Sequence, residues 1–118
     1  MRRLLALPDP PSAVATSTDL IAVGVLHAAH NLGATVPEWL SVVGFDDIQL
    51  SGHTVPALTT SRMPTARIVS YAINLAVRLA RDPEAVPEPG IEIFAPDLII
   101  RDSTAPPARR RQVLSTKR

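Results

Sequence analysis

Short apolar runs flank one long amphipathic segment in the first half of the chain. Residues 13–16 (AVAT) and residues 41–45 (SVVGF) have the length and aliphatic content of inner strands. Between them, residues 19–33 (DLIAVGVLHAAHNLG) place apolar side chains at helical spacing in two stripes. The stripes are Ile21, Val25, Ala28 and Leu32, and Leu20, Val23 and Leu26. A strand, a helix and a strand in this order predict a βαβ unit, whose two strands are parallel neighbours.

Polar residues and a glycine mark the ends of this first helix. Ser17 or Thr18 can cap its start, and Asp19 lies in the first turn, where a carboxylate interacts favourably with the helix dipole. Gly33 is placed to end the helix as the first residue beyond it. Pro37 then fixes a turn before the second strand.

The second half of the chain has a second helix between shorter apolar runs. Residues 57–60 (ALTT) predict a short strand or a segment that crosses the sheet, and Pro64 and Thr65 start a helix. The polar face of this helix is Arg67, Ser70, Asn74, Arg78 and Arg81, opposite Ile68, Ala72, Leu75 and Leu79. After a proline-rich loop (83–90), residues 91–94 (IEIF) alternate as a half-buried strand does, and residues 98–100 (LII) are a further apolar run.

Composition favours one α/β domain with an aliphatic core. The chain has 118 residues, 46% of them apolar and only 3% aromatic, which suits a parallel sheet covered on both faces. The formal net charge of +1 is too small to imply a nucleic-acid or membrane partner, and the absence of cysteine excludes disulfides. The apolar run at residues 4–7 is too short for an export signal, and no run is long enough to cross a membrane. A soluble cytoplasmic protein is therefore predicted.

Two polar residues follow the predicted strands, at the sheet edge where open α/β sheets bind small ligands. Asp46 comes directly after residues 41–45, and Thr18 follows residues 13–16. The Asp46 carboxylate can accept two hydroxyl hydrogen bonds from a sugar; the alternative is a surface acid in a turn. Thr18 can contact the same ligand or only cap the helix. Asp47 is expected to be structural, capping the following turn, and Asp19 to be a first-turn helix residue.

Other chemistry has little support in the sequence. His27 and His30 lie one helical turn apart and His53 lies in a loop, but no further ligand is placed to complete a metal site, so neither a metal nor a cofactor is predicted. There is no nucleophile motif and no phosphate-binding glycine loop, so catalysis is not predicted. The arginines at 109–111 belong to a short tail that is expected to be solvated.

Three segments, taken in order, resemble one known family. They are PSAVATSTDLIAVGVLHAAHNLGATVPEWLSVVGFDDI, PALTTSRMP and PDLIIRDSTAPP. At these separations they resemble the C-terminal third of the lactose/galactose repressor (LacI/GalR) family of bacterial transcription regulators. The resemblance covers residues 11–107 and implies an α/β, parallel-sheet, periplasmic-binding-protein-like (type I) fold of two lobes with a cleft between them.

The resemblance also implies roles for particular residues. In that family the cleft binds a sugar or nucleoside-like effector, an N-terminal helix-turn-helix domain binds operator DNA, and the proteins act as dimers or tetramers. Asp46 matches the effector-binding acid of the family, whereas Thr18 stands where the family often has asparagine. The first helix resembles the one that packs across the dimer axis, which makes Leu20, Val23 and His27 candidates for a dimer interface. Burial within the lobe would explain its apolar stripes equally well.

Together these features predict an incomplete fold, mainly the C-terminal lobe. Residues 1–11 are expected to be the remnant of a preceding helix and loop, residues 12–105 part of the effector-binding domain, and residues 106–118 a basic flexible tail. The predicted function is the effector-binding and dimerisation portion of a LacI-type regulator, here truncated. Its effector is expected to be a sugar or a related small molecule, bound weakly or not at all by this chain alone. Operator DNA would be bound only through the missing domain. The alternatives are a fragment of a transport-type sugar-binding protein and a module that only oligomerises.

Overall fold

The fold is built around one four-stranded mixed sheet. A computed structural model describes residues 1–82 and 91–107. The strands lie in the order β1 (Ala13–Ala15), β2 (Ser41–Phe45), β3 (Thr59–Arg62) and β4 (Asp97–Ile99). The helices are α1 (Arg2–Leu5), α2 (Asp19–Asn31) and α3 (Thr65–Arg81), with a 3₁₀ helix at Gln49–Gly52. The α/β class and the predicted order of strands and helices are thereby confirmed over most of the chain.

The first three strands are parallel, as the βαβ pattern predicted. Val14 pairs with Val42 between β1 and β2, and Gly44 pairs with Thr60 between β2 and β3. β4 is antiparallel to β3, with Thr60 opposite Ile99. The sheet is therefore mixed at one edge, because the chain leaves β3, forms α3 and returns beside β3 in the opposite direction. Parallel strands end at the same side of a sheet, so the segments that follow β1, β2 and β3 lie near one another.

α2 packs one narrow face against the sheet. Its buried residues are Asp19, Ala22, Leu26 and Ala29, and the two alanines allow the helix backbone to approach Val42 and Leu40 closely. The two apolar stripes coincide only in part with this buried face: Leu20, Ile21 and Leu32 are exposed, and Leu26 alone of both stripes is buried. Short side chains, rather than the large aliphatic ones, mark the contact with the sheet.

β2 has one buried face and one half-buried face. Val42 and Gly44 are buried, whereas Ser41, Val43 and Phe45 are only half-buried. The buried positions join α2 and Leu58 in the hydrophobic core. This alternation is the period-2 pattern of a strand with a single well-packed face, so the predicted cover on both faces of the sheet is complete on one face of β2 and partial on the other.

The ends of α2 agree with the sequence. Thr18 has extended backbone geometry and its hydroxyl accepts a hydrogen bond from the Ile21 N–H at 3.4 Å, which makes it the N-cap. Leu32 ends the helix, and Gly33 follows it with a φ of +73°. That left-handed conformation is one that glycine adopts without a steric cost, so Gly33 stops the helix as predicted.

α3 begins at Thr65 as predicted but has no buried residue. Within the described residues, Tyr71 of α3 contacts Phe94, which precedes β4. The two ring centroids are 5.7 Å apart in an edge-to-face arrangement. The predicted strand at residues 91–94 was wrong, because those residues form no strand and Ile91 and Ile93 are 90% and 82% exposed. Alternating hydrophobicity alone does not make a strand where no neighbouring strand offers hydrogen bonds.

Ser103, in the segment after β4, forms hydrogen bonds to both β2 and β3 near the start of these strands. The Ser103 hydroxyl donates to the Val42 carbonyl at 2.6 Å and accepts from the Thr59 N–H at 2.8 Å. The Ser103 carbonyl in turn accepts from the Val42 N–H at 2.8 Å. Ser103 is fully buried and therefore bridges β2 and β3 where the two strands begin.

Some predicted features lie outside the described residues. These are the proline-rich loop at 83–90 and most of the predicted basic tail, residues 108–118. Among the helices in the described ranges, none is both long enough and apolar enough to cross a membrane.

Candidate functional site

Three carboxylates lie at the side of the sheet where β1, β2 and β3 end, which we call the carboxyl edge. They are Asp19, Asp46 and Asp47, in the segments that directly follow β1 and β2. Each carboxylate has a different environment: one is buried, one is paired with arginines and one is exposed. The differences between them decide which one can receive a ligand.

Asp46 is the exposed carboxylate of the three. It follows β2 with a φ of +111°, a left-handed backbone conformation that is uncommon for a residue other than glycine. Its N–H donates to the Ser61 carbonyl at 2.9 Å, which fixes the backbone against β3. Within residues 1–82 and 91–107, no hydrogen-bond donor or cation is paired with its carboxylate. Asp46 therefore offers an unused acceptor at the carboxyl edge.

Thr18 stands at the equivalent position after the neighbouring strand. Ala15 and Val43 are paired between β1 and β2, and Thr18 and Asp46 each lie three residues beyond that pair. The Thr18 hydroxyl is used as an acceptor by the N-cap bond, so its own hydrogen can still donate to a ligand. Both predicted ligand-binding residues are thus brought to the same edge.

Asp47 is held between two arginines. One carboxylate oxygen lies 2.6 Å from Arg101 Nη2, and the other lies 2.6 Å from Arg62 Nη2. Burial of this side chain tends to raise its pKa, but hydrogen bonds from Arg101 and Arg62 and their positive charges outweigh burial, so that the pKa of Asp47 is lowered below 3.8. Asp47 is structural, as expected, although it acts through ion pairs between β2, β3 and the segment after β4 rather than through a turn cap.

Asp19 is fully buried beneath the same edge. Its Oδ2 accepts hydrogen bonds from the Ile48 N–H at 2.9 Å and the Ser51 hydroxyl at 2.6 Å, and its Oδ1 accepts one from the Thr60 hydroxyl at 2.5 Å. The sequence placed Asp19 in the first turn of the helix but did not show that it is the centre of a buried network. The neighbouring Gly44 was a usable signal, because glycine in a strand often marks a close approach by another group.

The histidines do not form a metal site. His27 Nε2 is hydrogen-bonded to the Asn31 amide at 2.9 Å, and His53 Nδ1 contacts the Gln49 carbonyl at 2.9 Å. In the part of the chain that the structure describes, no three His, Cys, Asp or Glu side chains are grouped to hold a metal ion.

Two open cavities lie at the opposite side of the sheet, where the strands begin. The larger, of about 390 Å³, is lined by residues at the end of α2 and before β3, including Leu26, His30 and Pro56. The smaller, of about 260 Å³, includes Leu5 and Trp39. Neither of these two cavities is lined by Thr18 or Asp46.

Comparison with known proteins identifies the family of this domain. A model of the periplasmic binding protein-like domain matches residues 1–104. The chain is 38% identical to the HTH-type transcriptional repressor CytR of Escherichia coli (strain K12) over 104 residues, which are 88% of this chain and 30% of that protein. The chain thus spans about a third of the length of the curated relatives it matches.

Solved structures agree with this assignment. A sugar-binding LacI-family transcriptional regulator from Escherichia coli, complexed with phosphate, is 38% identical with a TM-score of 0.66, over 80% of this chain and 34% of that one. A LacI-family regulator from Lactobacillus casei with bound sucrose is 28% identical with a TM-score of 0.66, over 87% and 38% of the two chains. The fold is that of a periplasmic-binding-protein-like effector domain. The chain belongs to the family of periplasmic binding protein-like domains, and its similarity to LacI-family transcriptional regulators falls within their effector-binding region.

Proposed function

We propose that the carboxyl edge forms one wall of a binding site for a hydroxyl-rich effector, such as a sugar, in a LacI-type regulator. The observation that carries the proposal is the contrast among the three acids: Asp19 is buried and fully hydrogen-bonded, Asp47 is paired with arginines, and Asp46 is exposed with an unused carboxylate. The sucrose bound to the Lactobacillus casei regulator supports the class of ligand.

The chemistry of the edge favours a neutral ligand over an anion. Arg62 and Arg101 are both engaged by Asp47, and Asp19 and Asp46 bring the carboxylates of the edge to three against these two guanidinium groups, a formal excess of one negative charge. A carboxylate acceptor beside a threonine hydroxyl matches the donors and acceptors of a diol. Because only two side chains of this edge, Asp46 and Thr18, are proposed to contact the ligand, we expect weak binding, with a dissociation constant of roughly a millimolar.

We expect sugar binding to shift the NMR signals of residues at the carboxyl edge, and we expect the affinity for the sugar to depend on Asp46. Titration of the ¹⁵N-labelled chain with glucose, sucrose and cellobiose should shift the amide resonances of Thr18 and Asp46 for at least one sugar. Asp46→Asn keeps a residue that tolerates a positive φ but removes the charge, so affinity should fall by about tenfold or more. Asp46→Gly removes the side chain without backbone strain and should have at least that effect.

Asp102 provides the matched control. It is also an exposed acid, but its N–H donates to the Ala57 carbonyl near the start of β3, at the opposite side of the sheet. Asp102→Asn should leave the titration unchanged. The proposal is wrong if none of the sugars shifts the edge resonances, or if Asp46→Asn and Asp102→Asn bind equally well.

We also propose that one face of α2 mediates self-association. Leu20, Val23 and His27 lie at spacings of three and four and share this face, with Leu20 68% exposed and Val23 half-buried. Large exposed aliphatic side chains on a helix are typical of protein–protein contacts. The same face would serve the alternative function, a module that only oligomerises, and the sugar titration separates the two.

We expect Leu20→Lys to reduce association measured by sedimentation velocity over a range of protein concentrations. A buried lysine charge at a self-associating face costs more than the leucine contact contributed, so the concentration-dependent species should be lost. Val55→Lys is the control, because Val55 is 95% exposed but lies beside the larger cavity at the opposite side of the sheet. Equal association of Leu20→Lys and the unchanged chain would contradict this role for α2.

A further inference from the structure

The buried Asp19 carboxylate sits directly beneath the turn that carries Asp46. All three of its hydrogen-bond partners donate to it: the Ile48 N–H, the Ser51 hydroxyl and the Thr60 hydroxyl. The partners belong to three different segments, namely the turn after β2, the 3₁₀ helix and β3. Asp19 itself is the first residue of α2. One side chain therefore joins the start of α2 to the turn after β2, to the 3₁₀ helix and to β3.

A buried carboxylate is tolerated here because its surroundings compensate for the loss of water. Charge-assisted hydrogen bonds to O–H donors are short and strong, and the 2.5 and 2.6 Å distances to Thr60 and Ser51 are in that range. The N-terminus of a helix adds a favourable partial positive charge. The carboxylate also leaves no room for a side chain at Gly44, since a Cβ at position 44 would overlap Asp19 Oδ1.

The bond to Ile48 has a particular consequence for the turn. Asp46 and Asp47 have φ values of +111° and +55°, and two successive left-handed residues that are not glycine persist only where the surroundings hold them. The Asp46 N–H is held by the Ser61 carbonyl at the start of the turn. The Ile48 N–H is held by Asp19 at its end. Asp19 thus holds the last residue of the turn, as the Ser61 carbonyl holds the first.

We propose that Asp19 is a positioning residue for the effector site: by accepting the Ile48 N–H it keeps Asp46 in the left-handed turn that presents its carboxylate at the carboxyl edge. Asp19 does not touch the ligand, because it is fully buried. The part of this proposal that concerns ligand binding rests on the proposed function. If Asp19 contributed only to overall stability, its substitution would loosen the turn no more than it loosens the rest of the core.

The experiment compares amide hydrogen exchange at Ile48 with exchange at Ala22, Leu26 and Ala29 of α2, measured by NMR. In Asp19→Ala, exchange at Ile48 should accelerate by about tenfold to a hundredfold more than exchange in α2, because the turn opens locally. The coupling between the amide and α protons of Asp46, which reports its φ, should change as well. Equal acceleration at Ile48 and in α2 would overturn the proposal.

Asp19→Asn keeps the test decisive if Asp19→Ala does not fold. The asparagine carbonyl can still accept from Ile48 and Ser51, while its amide donates to Thr60, so only the charge is lost. Charge-assisted bonds are roughly twice as strong as neutral ones, and Ile48 should therefore exchange about threefold to tenfold faster relative to α2. Thr60→Val is the matched control, because it removes one partner of Asp19 and leaves the bond to Ile48. It should affect Ile48 and α2 to the same extent.

Titration with glucose, sucrose and cellobiose separates this proposal from the proposed function. If the unchanged chain responds to none of the three sugars but Ile48 loosens as expected, the effector site is wrong and the control of the turn by Asp19 stands. If a sugar binds equally well to the unchanged chain and to an Asp19 variant whose turn has loosened, the positioning role is wrong and the effector site stands. Loss of both sugar binding and Ile48 protection in Asp19→Asn, with both retained in Thr60→Val, is the expected result.

Discussion

Gly44→Ala should lower the free energy of unfolding by about 3 kcal/mol or more, since overpacking of a core and the loss of hydrogen bonds to a buried charge each have a cost of this order. A Cβ at position 44 would overlap Asp19 Oδ1 and lie 2.9 Å from Leu58 Cδ2. Asp19 is fixed by three donors and cannot move aside without losing some of them. Urea denaturation followed by circular dichroism measures the change.

Gly24→Ala is the matched control for the same substitution. Gly24 lies in α2, and a Cβ there would meet no atom within 4 Å. Alanine has the higher helix propensity, so this change should raise the free energy of unfolding by roughly 0.5–1 kcal/mol. The predicted clash at Gly44 is wrong if Gly44→Ala also stabilises the chain, or if this substitution changes the free energy of unfolding by less than about 1 kcal/mol in either direction.

The outline of the fold could be predicted because local signals agreed with the tertiary structure. Residues 13–16 and 41–45 contain β1 and β2, and Gly33 ends the intervening helix as its position indicated. In such segments the strand pattern, the N-cap and the terminating glycine all favour the same structure. The placement of Thr18 and Asp46 at one edge followed from the parallel pairing of β1 with β2 alone.

The buried face of α2 could not be predicted, because apolar periodicity counts large side chains most heavily. The face that contacts the sheet contains Ala22, Ala29 and a carboxylate, Asp19, which an apolar stripe excludes by definition. The burial of Asp19 depends on donors 29 to 41 residues further along the chain. A hydrogen-bond network of that sequence separation leaves no local pattern.

Residues 91–100 show a second limit of periodicity. Residues 91–94 alternate but form no strand, whereas Asp97–Ile99 pairs with β3 in the antiparallel direction. Strand formation at β4 depends on the free hydrogen-bonding groups of β3 and on where the chain returns after α3. Neither can be derived from ten residues of sequence.

The ion pairs of Asp47 involve one residue from each side of the connection between β3 and β4, which contains α3. Arg62 is the last residue of β3 and lies opposite Asp97 of β4 in the strand register, while Arg101 follows β4. The Arg101 guanidinium also donates to the Leu58 carbonyl at 2.8 Å. Asp47 therefore joins the end of β2 to both sides of the connection that contains α3.

Asp47→Asn should lower the free energy of unfolding at pH 7 by about 2 kcal/mol, because it leaves Arg101 without its carboxylate partner in a partly buried setting. Asparagine tolerates the φ of +55° at this position, so the substitution adds little backbone strain. Arg62→Gln is the control, because it removes the more exposed of the two ion pairs of Asp47. The Arg62 side chain is 53% exposed, and surface ion pairs contribute only about 0–1 kcal/mol, so the free energy of unfolding should fall by no more than that.

The difference between the unchanged chain and Asp47→Asn should depend on pH in one direction. The pKa of Asp47 is lowered in the folded chain, since the hydrogen bonds from Arg101 and Arg62 outweigh the opposing effect of burial. A carboxylate with a lowered folded pKa stabilises the fold fully above its unfolded value of 3.8, and this stabilisation disappears as the pH falls through the folded pKa. Urea denaturation of both chains between neutral and acidic pH should therefore show two stabilities that differ at neutral pH and converge in acid. A difference that is constant across this range would mean that Asp47 contributes through its shape and not through its charge.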